Sequence, residues 1–282
     1  MENAVHSIYW SMTGEEAGRT YLRHMRTARA LFGTAAALLL VLAFTRVAWG
    51  KGMFEIWYWL ALAGVFVLVF AFRMRASSLF KGLVDIVEQD GDSAKYRMAI
   101  EELGRRSKRE MSSASHAVEL AYADLNDAKP YEALERLAHT NLSHARKNVA
   151  LRAFNVEILS RLDAGDAQGA QLSAQRLSEI AARYRKGSRN RRVADGLVEN
   201  ARVWAKPHAE WTPADGEFMR ARLAQTPASQ GRVSWQLFVA EYELLHGSQE
   251  EAKRLMDELA ASALTPRNQA RLERLRSLLP CE

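Results

Sequence analysis

Between residues 31 and 72, 33 of 42 side chains are hydrophobic, and 10 of the chain's 25 aromatics fall in that window. The run 31–49 is interrupted only by Gly33, Thr34, Thr45 and Arg46, and the run 54–72 only by Glu55 and Gly64. As helices rising about 1.5 Å per residue, each run is about 28 Å long, close to the thickness of bilayer hydrocarbon. Neither shows the polar face of an amphipathic core helix. Backbone groups in lipid must be satisfied within the segment, so two helices are expected. The four residues between them, Gly50, Lys51, Gly52 and Met53, force an antiparallel hairpin.

The flanks orient it. Arg19, Arg23, Arg26, Arg29, Arg73, Arg75 and Lys81 stand on one side, against Arg46 and Lys51 on the other. By the positive-inside rule, both termini are expected in the cytoplasm of a plasma or inner membrane. Trp49, Trp57, Tyr58 and Trp59 cluster beside the short loop, as a membrane-interface belt would. A cleaved signal peptide is not expected, because the apolar run begins late and no small-residue cleavage site follows it. Residues 1–30 form a cytoplasmic N-terminal segment, and Tyr9-Trp10 with the arginines to Arg29 leave an interfacial helix open.

Beyond the hairpin the pattern predicts an all-α chain. No stretch alternates well enough to suggest a sheet, and the six prolines lie at or beyond Pro130, mostly where helices would begin or end. Thr212-Pro213 and Thr265-Pro266 place a capping hydroxyl before a first-turn proline. Ala167, Ala170, Ala174, Leu177, Ala181 and Tyr184 step by three and four, as do Ala252, Leu255, Met256, Leu259 and Ala263, then Leu272, Leu275 and Leu279. Residues 73–114 are expected as a juxtamembrane helical arm with a flexible joint near 105–115, and residues 115–282 as a helical domain.

Two turns in that domain align. Gly165 is followed five residues later by Ala170, and Gly247 by Ala252, each between two helical stretches. Lys129 to Leu134 imitates the turn without its glycine, Trp235 falls near the start of a first helix, and Pro266 closes the last unit. This resembles the tetratricopeptide repeat, and the resemblance covers residues 115–282. It implies stacked helix pairs with a concave surface able to grip a peptide or a partner helix. The layout of hairpin plus repeats is similar to that of HemY-like inner-membrane proteins and of the repeat-bearing subunit of Pel-type exopolysaccharide machinery. That likeness is one of domain order, and the long N-terminal segment departs from the HemY-like pattern.

The net charge of +6 is unevenly spread. Residues 73–192 carry 22 basic and 16 acidic side chains, and residues 193–282 carry 11 and 13. Arg105, Arg106, Lys108 and Arg109 form one basic cluster, and Arg183, Arg185, Lys186, Arg189, Arg191 and Arg192 a second. Contact with anionic lipid head groups accounts for them most simply, with an acidic protein partner next. Nucleic acid is not expected, since no recognition motif accompanies the charge. Trp211, between Pro207 and Pro213, and Tyr242 are candidate partner anchors, whereas Trp204 continues the stripe of Leu197 and Ala201 and belongs to a core.

No enzymatic signature is present: there is no phosphate-binding glycine loop, and His139 and His144 are five apart, about 140° around a helix. No cofactor, metal or catalytic residue is expected. The single cysteine, Cys281, excludes a disulfide framework. The chain is therefore expected to be a membrane-anchored helical-repeat scaffold that binds or organises protein partners at the cytoplasmic face. The alternative is an integral subunit of a larger complex, such as envelope or polysaccharide machinery, held mainly through its hairpin.

Overall fold

The structure, a computed structural model, describes residues 6–49, 54–106, 111–260 and 262–279. Among these the chain is all-α, with no strand. The first two helices are the longest, α1 over Gly14–Trp49 and α2 over Phe54–Glu88, with 36 and 35 residues. At about 1.5 Å per residue each exceeds 50 Å, well beyond what a bilayer's hydrocarbon requires. Both are long and apolar enough to cross a membrane, and only 6% of the apolar window of each is buried. Leu38, Phe44, Phe66 and Phe70 project outward at 59–73% exposure, an apolar surface of the kind that marks a membrane or protein contact. At Gly64 of α2 a Cβ would meet the Leu39 side chain of α1 at 2.7 Å. Gly33 faces open space.

The other half of each long helix belongs to a helical domain. Ala17, Tyr21, Leu22, Met25 and Ala28 of α1 make a buried stripe, as do Leu79, Leu83, Ile86 and Val87 of α2. A turn at Gly91 (φ +70°) leads into α3, Ser93–Arg106, which packs beside α1. Gly14 and Gly18 permit this approach, since a Cβ there would come within 2.5 Å of the Lys95 carbonyl and 2.8 Å of the Ala99 carbonyl. Residues before α1 dock on the same region. Tyr9 is fully buried, Lys95 Nζ donates to the Tyr9 and Trp10 carbonyls (2.7 and 2.9 Å), and the Ser7 amide donates to Asp90 (2.9 Å). Between Ser7 and Met25, Tyr9, Ala17, Tyr21, Leu22 and Met25 thus belong to the domain's core, while Ile8 and Trp10 remain exposed.

Short antiparallel helices follow: α4 Ser113–Asn126, α5 Pro130–Ala138, α6 Lys147–Asp163, α7 Ala167–Ala182 and α8 Arg189–Trp204. A short 3-10 turn, His208–Glu210, leads to α9 Pro213–Gln225, α10 Gln230–His246, α11 Gln249–Ala260 and α12 Pro266–Ser277. The expected caps form: Thr212 and Asp215 make a reciprocal capping box, and Thr265 accepts from the Asn268 amide. Helix α6 starts at Lys147, after a local turn in which Asn141 Oδ1 accepts from the Ser143 amide. Ala133, Ala170 and Ala252, at the start of the second helix of each aligned unit, are fully buried.

Two apolar cores result. One joins α1, α2 and α3 to α4, α5 and α6. The other runs from α6 through α12 and contains Trp204, Trp211, Trp235 and Phe238 in mutual contact. The array then curls back on itself. Arg267 of α12 pairs with Asp163 of α6, Gln89 donates to the Ala228 carbonyl (3.0 Å), and Gly91 abuts Leu264.

Candidate functional site

Helix directions separate the domain into two edges. α3 runs parallel to α1, because Gly14 faces Lys95 and Gly18 faces Ala99. α4 returns antiparallel, with Ser93 bonded to Asp127 and Gly104 against His116. Arg152 of α6 meets Glu119 of α4, Glu157 meets Ser173 of α7, and Arg191 of α8 meets the Ala181 carbonyl. The turns after α3, α5 and α7 therefore share the edge from which the apolar hairpin leaves. The turns after α4, α6 and α8 share the opposite edge. By this register Arg106 stands level with about Met25, some six residues or ~9 Å short of the apolar run.

Both basic clusters map to the hairpin edge. Arg105 and Arg106, with Arg19 of α1, converge on the buried carboxylate of Glu102. Burial pushes the Glu102 carboxyl up, but the hydrogen bonds from Arg105, Arg19 and Arg106 outweigh it and hold it at about 2. Glu15 also pairs with Arg19 (2.6 Å) and lies 4.0 Å from Arg105, so three guanidiniums share two carboxylates and one positive charge is left over. Lys108 and Arg109 lie outside the described residues. In the second cluster Arg183, Arg185, Lys186, Arg189 and Arg192 are exposed, whereas Arg191 is spent internally on Asp195 (2.8 Å) and the Ala181 carbonyl (2.8 Å). Clusters 80 residues apart in sequence thus flank one side of the molecule.

Other expected residues fall elsewhere. Trp211 is 4% exposed and its Nε1 donates to the Val203 carbonyl (3.1 Å), so its ring is committed to the core and is not presented to a partner. Tyr242 is also buried, its ring pressed on Gly216 and covered by the Arg220 guanidinium at 5.3 Å. A connection between two prolines looked exposed in sequence; the 3-10 turn folds it inward. Tyr58 and Trp59 are exposed, edge to face at 5.5 Å, near the apolar tip of the hairpin. The side chains of Trp49 and Trp57 lie outside the described residues.

No family model, curated protein or solved structure matches this chain.

The opposite edge holds a cavity of about 720 Å³ that the sequence reading did not find. It is walled by the first turn of α5, the ends of α6 and α8, and one face of α12. Arg267, Arg271 and Arg274 line it, at the i, i+4, i+7 spacing of a single helical face. That spacing was visible in the sequence beside the Leu272, Leu275 and Leu279 stripe; nothing local showed which surface it would meet. Arg271 lies over the Phe238 ring at 3.5 Å and pairs with Glu241 at 2.7 Å. Glu241 also takes Arg274 (3.0 Å) and His208 Nδ1 (2.8 Å). Burial again raises this carboxyl, but the His208 hydrogen bond and Arg271 prevail and bring it to about 2. Among the described residues, no group of three or more His, Cys, Asp or Glu side chains is placed to hold a metal ion.

Proposed function

We propose that this protein is a membrane-anchored, tetratricopeptide-like helical scaffold that binds or organises protein partners at the cytoplasmic face of its membrane, without catalysis of its own. One observation carries the reading: the two helices that are long and apolar enough to span a bilayer are also structural members of the domain. A domain built this way stays beside the bilayer, which raises its effective concentration for other membrane-bound proteins without any new contact. The basic hairpin edge supports an arrangement in which this side faces anionic lipid head groups, each basic residue near the surface contributing about 1 kcal/mol. The curled helical array supports partner binding, since such surfaces suit extended protein segments. The exposed apolar flanks of the hairpin favour a second reading, an integral subunit packed against other membrane helices.

Affinity purification of the full chain with mass spectrometry tests the proposal; failure to recover any reproducible protein partner overturns it. Replacing residues 31–72 with an unrelated two-span hairpin, joined in helical phase, separates the two readings. A scaffold keeps its partners after the exchange, and a subunit held through its spans loses them. Labelling of Cys281 by an impermeant reagent in intact cells would overturn the cytoplasmic assignment.

A further inference from the structure

We infer that the cavity at the edge remote from the hairpin is a binding site for a phosphate monoester carried on a planar apolar body. The inference goes beyond the scaffold reading and does not require it.

Charge is the first argument. The α12 wall supplies Arg271 and Arg274, which together with His208 share the single carboxylate of Glu241. Lys129 enters from the facing wall and reaches only Asp127, at 3.6 Å. Glu132 and Asp163 also line the cavity, but Lys129, Lys206, Arg267, Arg271 and Arg274 outnumber them, so the lining carries an excess of basic groups. Its arginines are also held in place before any ligand arrives: Arg271 is clamped between Glu241 and the Phe238 ring, and Arg267 is bound through two nitrogens to Asp163. The Arg267 fork is thereby occupied, but Arg271 and Arg274 each give Glu241 one nitrogen and keep further N–H groups for a phosphate, which a positioned guanidinium matches better than a flexible ammonium does.

Backbone geometry on the facing wall supplies a second argument. An α-helix leaves its first N–H groups without partners inside the helix. At α5 the capping position is occupied by Lys129, whose side chain accepts nothing, and the next residue is Pro130. The amides of Tyr131 and Glu132 and the positive end of the helix dipole therefore meet the cavity uncapped, as they do at helix-terminal phosphate sites. Most other helix starts in the domain are closed by a serine, threonine or aspartate, as at Ser112, Asp166, Ser188, Thr212 and Ser229.

Part of the lining is apolar. Leu162, Ala167, Trp204 and Ala270 offer a floor beside the charged Glu132, Asp163 and Lys206, and the buried Trp204 indole N–H has no partner among the described residues. The volume of about 720 Å³ falls in the range of sites that enclose a ligand of nucleotide or drug size.

The test uses the full chain in lipid nanodiscs and isothermal titration calorimetry with AMP, phenyl phosphate, a phosphotyrosyl peptide and adenosine. At least one of the three phosphate probes is expected to bind saturably, and at least tenfold more tightly than adenosine. Lys129→Gln and Arg274→Gln, both at exposed side chains, are each expected to weaken that probe about tenfold while leaving the melting temperature within a few degrees. Tighter binding of AMP or phenyl phosphate than of the peptide assigns the site to a free metabolite; the reverse order assigns it to a phosphorylated protein segment. No binding of any phosphate probe below about 1 mM, adenosine binding as well as AMP, or affinities unchanged in both variants would overturn the inference.

Discussion

Glu241 is the residue at which the charge arrangement of this fold can be measured. It is 5% exposed on α10 and is approached by Arg271 at 2.7 Å, His208 at 2.8 Å and Arg274 at 3.0 Å. Movement of its carboxyl from 4.5 in the unfolded chain to about 2 in the folded one corresponds to about 3 kcal/mol of stability at neutral pH. Glu241→Gln keeps the shape and removes the charge, leaving Arg271 buried against Phe238 without its counter-ion. The expected loss is about 3 kcal/mol at pH 7, in keeping with the 3–5 kcal/mol typical of breaking a buried pair from one side. The sign of the pH dependence follows from the lowered value. The wild-type contribution is complete above about pH 4.5 and declines as pH falls toward 2, so the gap between wild type and variant should close over that window. Urea denaturation of the full chain in detergent micelles, followed by tryptophan fluorescence, reads both quantities, because Trp204 stacks on Phe238 beside the site. A gap under about 1 kcal/mol at pH 7, or one that persists unchanged down to pH 2.5, would refute the reasoning.

Three further perturbations probe other parts of the molecule. Gly18→Leu should cost about 2 kcal/mol or more, seen as a lower urea midpoint, because even a Cβ there would lie 2.8 Å from the Ala99 carbonyl of α3. Thr212→Ala removes the capping box of α9 and should lower stability by about 1 kcal/mol; equal stability would show that α9 does not depend on its cap. Replacing Arg183, Arg185, Lys186 and Arg189 together with Gln should leave the melting temperature nearly unchanged. In proteoliposomes it should weaken fluorescence energy transfer from the domain to the bilayer, with anionic lipid only and less at high salt.

Periodicity carried most of the fold. The stripes of α7, α11 and α12 and the caps at Thr212 and Thr265 are properties of a few consecutive residues, and each appears where the spacing puts it. The start of α1 was equally local: Thr13 and Glu16 form a reciprocal capping pair, with the Thr13 amide donating to Glu16 at 2.9 Å and the Glu16 amide to Thr13 Oγ1 at 3.3 Å. What periodicity could not convey was association between distant segments. Tyr9 and Lys95 meet only because α2 returns antiparallel along α1, and Arg271 meets Glu241 only because the array curls. Trp211 was misread for a related reason, since flanking prolines describe the backbone and not the direction of the ring. The cavity depends on all of these placements together, so no single stretch of sequence announces it.

The uninterrupted passage of α1 and α2 from apolar segment to domain core has a mechanical consequence. With no turn, proline or glycine pair where the helices leave the apolar window, the part of α1 between residues 14 and 30 acts as a stiff lever about 25 Å long. A tilt of the spans by about 10°, of the kind by which helices adapt to bilayers of different thickness, would displace its far end by about 4 Å. The α3 helix rides on that lever through Gly14 and Gly18, so the domain would move with it as one piece. If the hairpin spans a bilayer as proposed, bilayer thickness would in this way set the height and attitude at which the remote edge, with its cavity, is held.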